Sequence, residues 1–170
     1  RSTPRAQTSP LAGDSKSRTD YALQLWHETR PAAGTLAERY LTSRGINLPS
    51  DIDHVIRFHP DCPFGKGHRH PCMVALYRDI HTNAPLGIHR TALTPDGMKI
   101  DRKMLGECRG AAIKLSPDHD VTMGLGIAEG IETALSVMQA GWQAVWAVGS
   151  AGAIDRFPIL SGVECLTVFA

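Results

Sequence analysis

The sequence predicts a mixed fold, α+β first and α/β last: a helical hairpin with a small antiparallel sheet, then a partial parallel α/β unit of Rossmann-like kind. Three observations carry this reading. Two helical patterns on either side of Pro31 open the chain. Short β-rich segments bounded by Pro, Gly and Asn fill the middle. The last fifty residues alternate apolar strand-like runs with a helical stretch.

Residues 1–19, RSTPRAQTSPLAGDSKSRT, are rich in Ser, Thr, Pro and Arg and hold almost nothing to bury. Such a segment cannot offset its ordering entropy, so a flexible tail or linker is expected, with something attached upstream. Asp20 is expected to cap a helix through YALQLWHETR that Pro31 stops. Thr35 and Glu38 make a T-x-x-E capping box for a second helix with Leu36, Tyr40 and Leu41 inward and Gly45 at its end. The two helices read as a hairpin.

DHVIRFH (53–59), CMVALYRD (72–79) and PLGIHRTAL (85–93) read as antiparallel strands, with a turn at Pro95, Asp96 and Gly97. Residues 98–116 read as a basic, glycine-punctuated connection ending in a short strand at AAIKL. VTMGLGIAE suits a strand buried on both faces. The helix after it carries Ile131, Ala134, Leu135 and Met138 on one side and stops at Gly141; QAVWAVGS and ECLTVFA follow as further buried parallel strands. The expected domains are 20–118 and 119–170. Because Ala170 falls inside an expected core strand, the second domain is expected to be truncated.

Composition narrows the function. Hydrophobic residues are 42% and charged residues 21%, a globular profile. A net charge of +1 gives no global basic field, so any nucleic-acid binding must come from a local patch. No apolar run reaches the ~18 residues of a membrane span, and no signal peptide opens the chain, so a cytoplasmic protein is expected. Cys62, Cys72, Cys108 and Cys165 suggest no disulfide framework and are expected as thiols.

The informative segment is GLGIAEGIETALS, residues 124–136. A buried strand delivers Glu129 to its carboxyl end, and Gly130 allows a tight turn into the helix. Ligands of open α/β sheets bind at that end. A carboxylate there suits Mg²⁺ binding or general-base work. The alternative is a carboxylate that merely caps the next helix through backbone N–H groups.

AEGIETALS around Glu129, WAVGSAG after the second strand and VECLTVFA resemble the Toprim fold of primases, topoisomerases and some nucleases. YLTSRGI, IRFHPDCPF, GIHRTAL and DRKMLG resemble the domain preceding Toprim in primase-like proteins of phages, plasmids and conjugative elements. The resemblance covers residues from roughly 20 to 170. It implies Glu129 as catalytic acid or base and as a ligand of Mg²⁺ or Mn²⁺, joined by an Asp-x-Asp expected just after Ala170. It implies nucleotide or template contacts at Lys103 and Lys114, with Arg102, Arg109 and Arg90 as a basic lip. Gly130, Gly149 and Ser150 would leave room for a phosphate or a metal-bound water. The implied activity is primer synthesis from nucleoside triphosphates on single-stranded DNA, with a fused or partner helicase. A non-catalytic nucleic-acid-binding or regulatory module and a Toprim nuclease are the alternatives.

Other residues are read as structural. Glu132, in the first helical turn, is expected as a surface residue favouring the helix dipole, and Thr133 stands where many primases carry Asp. His89 and Arg90 are strand neighbours, so alternation is expected to send one of them inward, and a structural role is expected for His89. His59, Cys62, His68, His70 and Cys72 give C-x5-H-x-H-x-C, not a known zinc pattern, and are expected as a turn-rich loop. Asp118 and Asp120 are expected as solvated turn residues.

Overall fold

The computed structural model describes residues 12–170; the first eleven residues of the expected linker lie outside it. The remainder of that segment is helix. α1 spans Ala12–His27 and begins well before the expected Asp20 cap. Its polar first half is held by tertiary hydrogen bonds rather than by burial. Thr19 Oγ1 donates to Leu86 O (3.0 Å) and accepts from Glu107 N (3.2 Å), and Ser15 Oγ donates to Glu107 Oε2 (3.2 Å).

After a two-residue strand, β1 (Arg30–Pro31), comes α2 (Leu36–Ser43). Thr35 caps it, accepting from Ala37 N at 3.2 Å, while the Glu38 carboxylate accepts from Gly34 N at 2.7 Å, one residue outside the expected box. Gly45, at φ +74°, turns the chain away.

The expected helical hairpin does not form, because a sheet separates the helices. β2 (Ile56–Gly65), β3 (His68–Asp79), β4 (Pro85–Leu93) and β5 (Lys99–Gly106) follow β1 in antiparallel order, and β6 (Ala111–Ala112) pairs with β3. Side chains alternate faces along β3. Val74 and Leu76 pack with Ala22 and Leu25 of α1; Met73, Ala75 and Tyr77 pack with Ala37, Tyr40 and Leu41 of α2. Two further readings change here. The expected loop between His59 and Cys72 is the long β2–β3 hairpin, and the expected connection after residue 98 contains β5.

β7 (Gly124–Ala128), α3 (Ile131–Gln139), β8 (Val145–Ala147), α4 (Ala151–Asp155) and β9 (Cys165–Phe169) form a three-stranded parallel sheet of order β8-β7-β9. α3 packs on the Ala128 face, whereas Ala153 and Ile154 of α4 pack on the Leu125–Ile127 face. Gly126 is required on the α3 face: a Cβ there would come within 2.9 Å of the Phe169 ring and 3.0 Å of Trp142 Nε1. β9 departs from the expected buried strand. Leu166 and Val168 are 44% and 49% exposed, because among the described residues α4 and its flanks cover only the neighbouring strands.

One hydrophobic core joins the two sheets, running from Tyr40, Met73 and Tyr77 to Ala128, Leu135 and Ala147. Ile113 and Ala147 exchange backbone hydrogen bonds of 2.8 and 2.9 Å across the junction. No helix among the described residues is long and apolar enough to cross a membrane.

Candidate functional site

The order β8-β7-β9, with α3 and α4 on opposite faces, makes the carboxyl ends of β7 and β9 a topological switch point. In such sheets the connections diverge there and leave a crevice. Glu129 follows β7 at this crevice, and its side chain is 43% exposed. It is neither shut in the core nor hydrogen-bonded as a helix cap: α3 has Gly130 at its N-cap, with no side-chain cap bond. Its carbonyl accepts from Gly149 N at 2.8 Å, which ties the ends of β7 and β8 together.

Across the crevice stands β5. Its register pairs Thr91 with Arg102, Arg90 with Lys103 and His89 with Met104, so Arg102 and Met104 share a face that Lys103 does not. Arg102 Nη2 lies 3.4 Å from Glu129 Oε1. Beside this pair the Tyr40 hydroxyl donates a short hydrogen bond to Glu132 Oε1, and Lys99 Nζ lies 3.6 Å from the same oxygen. Glu132 is therefore a half-buried member of the site, not a free surface carboxylate. Burial alone would raise its pKa. The Tyr40 hydroxyl, a backbone amide, Lys99 and His89 together outweigh burial and lower it. The Tyr40 hydroxyl is held above its ordinary range, by burial first and then by Glu132.

Alternation does not leave one of the pair His89 and Arg90 outside: both are 7% exposed, because helices cover both faces of the sheet. Burial is the main cause that lowers the His89 pKa to about 4, so its ring is neutral near pH 7. With Arg102, Lys103, Met104, Gly149 and Ser150 it lines a cavity of about 230 Å³. A second cavity of about 400 Å³ also has Met104 and Ser150 in its wall, and there Arg109 and Arg156 supply the charge. Gly149 has φ +87°, and a Cβ would collide with the Tyr77 hydroxyl, so only glycine fits. Ser150 caps α4 by accepting from Ala153 N at 3.2 Å.

Three expected site residues are placed elsewhere. Lys114 is 3% exposed, pairs with Asp118 at 2.7 Å and lies over the Trp146 ring at 4.6 Å. It is a buried structural cation, and Asp118 is its partner rather than a solvated turn residue. The Lys103 ammonium and the Arg90 guanidinium both lie over the Phe64 ring, on the α1 face of the sheet. Lys103 thus borders the Glu129-side cavity along β5 while its charge goes to the other side. The cations that meet the two glutamates are Arg102 and Lys99. Lys99, Tyr40 and Glu132 were not legible as site residues. Reading 98–106 as a strand would have separated Arg102 from Lys103 by alternation.

Glu129 offers one hard oxygen ligand to a divalent cation. Among the described residues no group of three His, Cys, Asp or Glu side chains could hold a metal, the His59–Cys72 region included. Cys62 and Cys72 are buried free thiols, and His59 pairs with Glu28 at 3.4 Å.

Residues 16–115 match the model of a family described as a domain of unknown function, DUF7146. No curated protein and no solved structure matches the chain. The matched span runs from α1 through β6 and the strand of Arg102, and it ends before β7 and Glu129. It takes in more than half of the sequence, and the chain belongs to the DUF7146 family.

Proposed function

We propose that this chain carries the glutamate side of a Toprim-type nucleotidyl-transfer site that joins nucleotides on single-stranded DNA. One observation carries the reading: an exposed carboxylate, Glu129, ends the central strand at the switch point and faces Arg102 beside arginine-lined cavities. Phosphoryl transfer asks mainly for positioning and charge stabilisation. In this reading Glu129 takes the proton of an attacking hydroxyl. The hydroxyl oxygen bonds to the α-phosphorus as the bond to the departing pyrophosphate breaks. Arg102 releases Glu129 to hold phosphate oxygens, and Arg109 and Arg156 line the path of the charged chain. Magnesium, when bound, neutralises phosphate charge; Glu129 is the residue that would hold it, with waters and substrate phosphates as the usual further ligands.

The test is incorporation of labelled nucleotide by the full-length protein on single-stranded DNA with Mg²⁺ or Mn²⁺. Glu129→Gln is expected to lower incorporation by about 10²–10⁴-fold, the usual range for a positioned acid or base. Unchanged incorporation would refute the role of Glu129. Strand cutting without synthesis, lost in Glu129→Gln, would replace the primase reading with a nuclease. A binding-only module is favoured by one observation, the Arg102 contact that already engages Glu129. Oligonucleotide binding with neither synthesis nor cutting would establish it.

A further inference from the structure

Two buried thiols lie together under α1. Cys62 of β2 and Cys72 of β3 are both 0% exposed and belong to the cluster that packs against Ala22 and Leu25. Strand register brings them to one face. Cys72 stands opposite His59 and Cys62 opposite His70, with a bulge between in which Pro60 and Asp61 face only Pro71. The Cys72 thiol donates a hydrogen bond to the Cys62 sulfur. Arg90 reaches the same sulfur, and its Nη1 shares the Pro63 carbonyl with Cys62 Sγ, which lies 3.7 Å from that oxygen.

The pair is chemically unequal. The hydrogen bond from Cys72 is the main cause that holds the Cys62 thiol below its ordinary range; burial opposes it, and the charges of Arg90 and Arg69 add to it. The same hydrogen bond, and then burial, hold the Cys72 thiol above that range. One sulfur is therefore ready to carry negative charge, and its neighbour keeps a proton against it. Cys108, by contrast, is pushed up to about 12, by burial first and then by Glu107.

A thiolate, not a thiol, attacks an electrophile, and a thiolate poised beside a second thiol can be oxidised and then resolved. The surroundings of Cys62 also leave a way in. Pro63, Phe64 and Arg90 line a cavity of about 410 Å³ whose rim includes the exposed turn 65–67. Hydrogen peroxide is scarcely larger than water, and a small local opening of the β2–β3 hairpin exposes the sulfurs to it.

We infer that Cys62 and Cys72 form a reversible dithiol–disulfide site oxidised by hydrogen peroxide, with Cys62 as the attacking sulfur and Cys72 as the resolving one. Cys62 first gives its proton to solvent. Its thiolate bonds to one peroxide oxygen as the O–O bond breaks, which leaves a sulfenic acid and a hydroxide that takes a proton from solvent. Cys72 then attacks the sulfenic sulfur. The S–S bond forms, the S–O bond breaks, and the oxygen leaves as water with the Cys72 proton. The two thiols lose two electrons in all, and one peroxide is reduced to two waters. A thiol reductant restores both cysteines. The disulfide fixes β2 to β3 across the bulge and takes the thiolate charge away from Arg90. This site does not rest on the chemistry proposed for Glu129, and its failure would leave that reading untouched.

The experiment treats the Cys165→Ser chain, which lacks the exposed cysteine, with hydrogen peroxide and maps its tryptic peptides without reduction. Cleavage after Arg57, Lys66, Arg69 and Arg78 puts the two cysteines in separate peptides, residues 58–66 and 70–78. These are expected as one linked species, lighter by two hydrogens than the pair and separated by dithiothreitol. With dimedone present, Cys72→Ser should trap sulfenic acid at Cys62 at least about tenfold faster than Cys62→Ser traps it at Cys72. The linkage is read with both cysteines in place, so it decides the matter even if either variant fails to fold. Both thiols left free by peroxide, Cys108 linked in place of either one, a linkage that forms only in urea, or equal trapping in two folded variants would overturn the inference.

Discussion

The Tyr40 hydroxyl donates its hydrogen bond to Glu132, 92 residues further along the chain, and so ties the helix that covers the antiparallel sheet to the first turn after the central parallel strand. Gln139 of α3 adds a second tie, to the turn after α2: its Oε1 accepts from Asn47 N at 2.7 Å, and its Nε2 donates to Gly45 O at 3.0 Å. The crevice at Glu129 thus has its geometry set by packing between two sheets, not by the Glu129 segment alone.

Removing the hydroxyl should therefore cost stability at neutral pH. Tyr40→Phe is expected to destabilise the fold by about 1.5–3 kcal/mol, the range for a hydrogen bond to a charged group. Glu132 has a lowered pKa when folded, so its contribution is present above its unfolded pKa and fades as pH falls through the folded value. Urea unfolding of parent and Tyr40→Phe should accordingly diverge at pH 7 and converge in acid. Equal loss at both pH values would show that packing, not the charged partner, accounts for the effect.

His89 titrates in the same sense, in a higher pH window. Its folded pKa, near 4, lies below the ordinary histidine value of about 6.5, because burial disfavours the charged ring. Stability from the neutral ring is whole above about 6.5 and is lost as pH falls from there toward 4, where the folded state also takes the proton. The loss should be on the order of 3 kcal/mol. His89→Gln should flatten the stability profile between those limits, as read by chemical unfolding at several pH values. A profile as steep as the parent's would assign the acid loss to other groups.

Gly149→Ala should be severe. The new methyl would need a left-handed backbone and would strike the Tyr77 hydroxyl. We expect about 2–4 kcal/mol of destabilisation. Tyr77→Phe in the same chain should recover part of it by removing the oxygen but not the backbone strain. Thermal melts of the two single variants and the double variant measure this coupling; strict additivity would show that the hydroxyl collision is not the cause.

Arg102 and Lys114 should separate site charge from structural charge. The Arg102–Glu129 pair is 45% and 43% exposed, so Arg102→Gln should change stability by less than about 0.5 kcal/mol while weakening oligonucleotide binding and its salt dependence. Lys114→Met removes a buried ammonium from Asp118, from Ile80 O at 3.2 Å and from the Trp146 ring. It should cost about 1–3 kcal/mol and leave oligonucleotide binding intact. Anisotropy titrations paired with urea unfolding decide it; the reverse pattern would put Lys114 back in the binding surface.

The sequence by itself determined the path through β7, Glu129, Gly130 and α3, because an apolar run, a glycine turn and helical spacing are local signals read within a few residues. It also determined the Thr35 cap of α2. Tertiary structure alone decided which cations meet the carboxylates. Residues 99–106 form a polar, mostly exposed strand with no apolar alternation to reveal it, so only its pairing with β4 separates Arg102 from Lys103. The same holds for α1, whose first half is helical through hydrogen bonds to Leu86 and Glu107, and for Lys114, buried beneath a tryptophan from another strand. Periodicity records which residues can be buried; strand register and long-range partners decide which charges face one another.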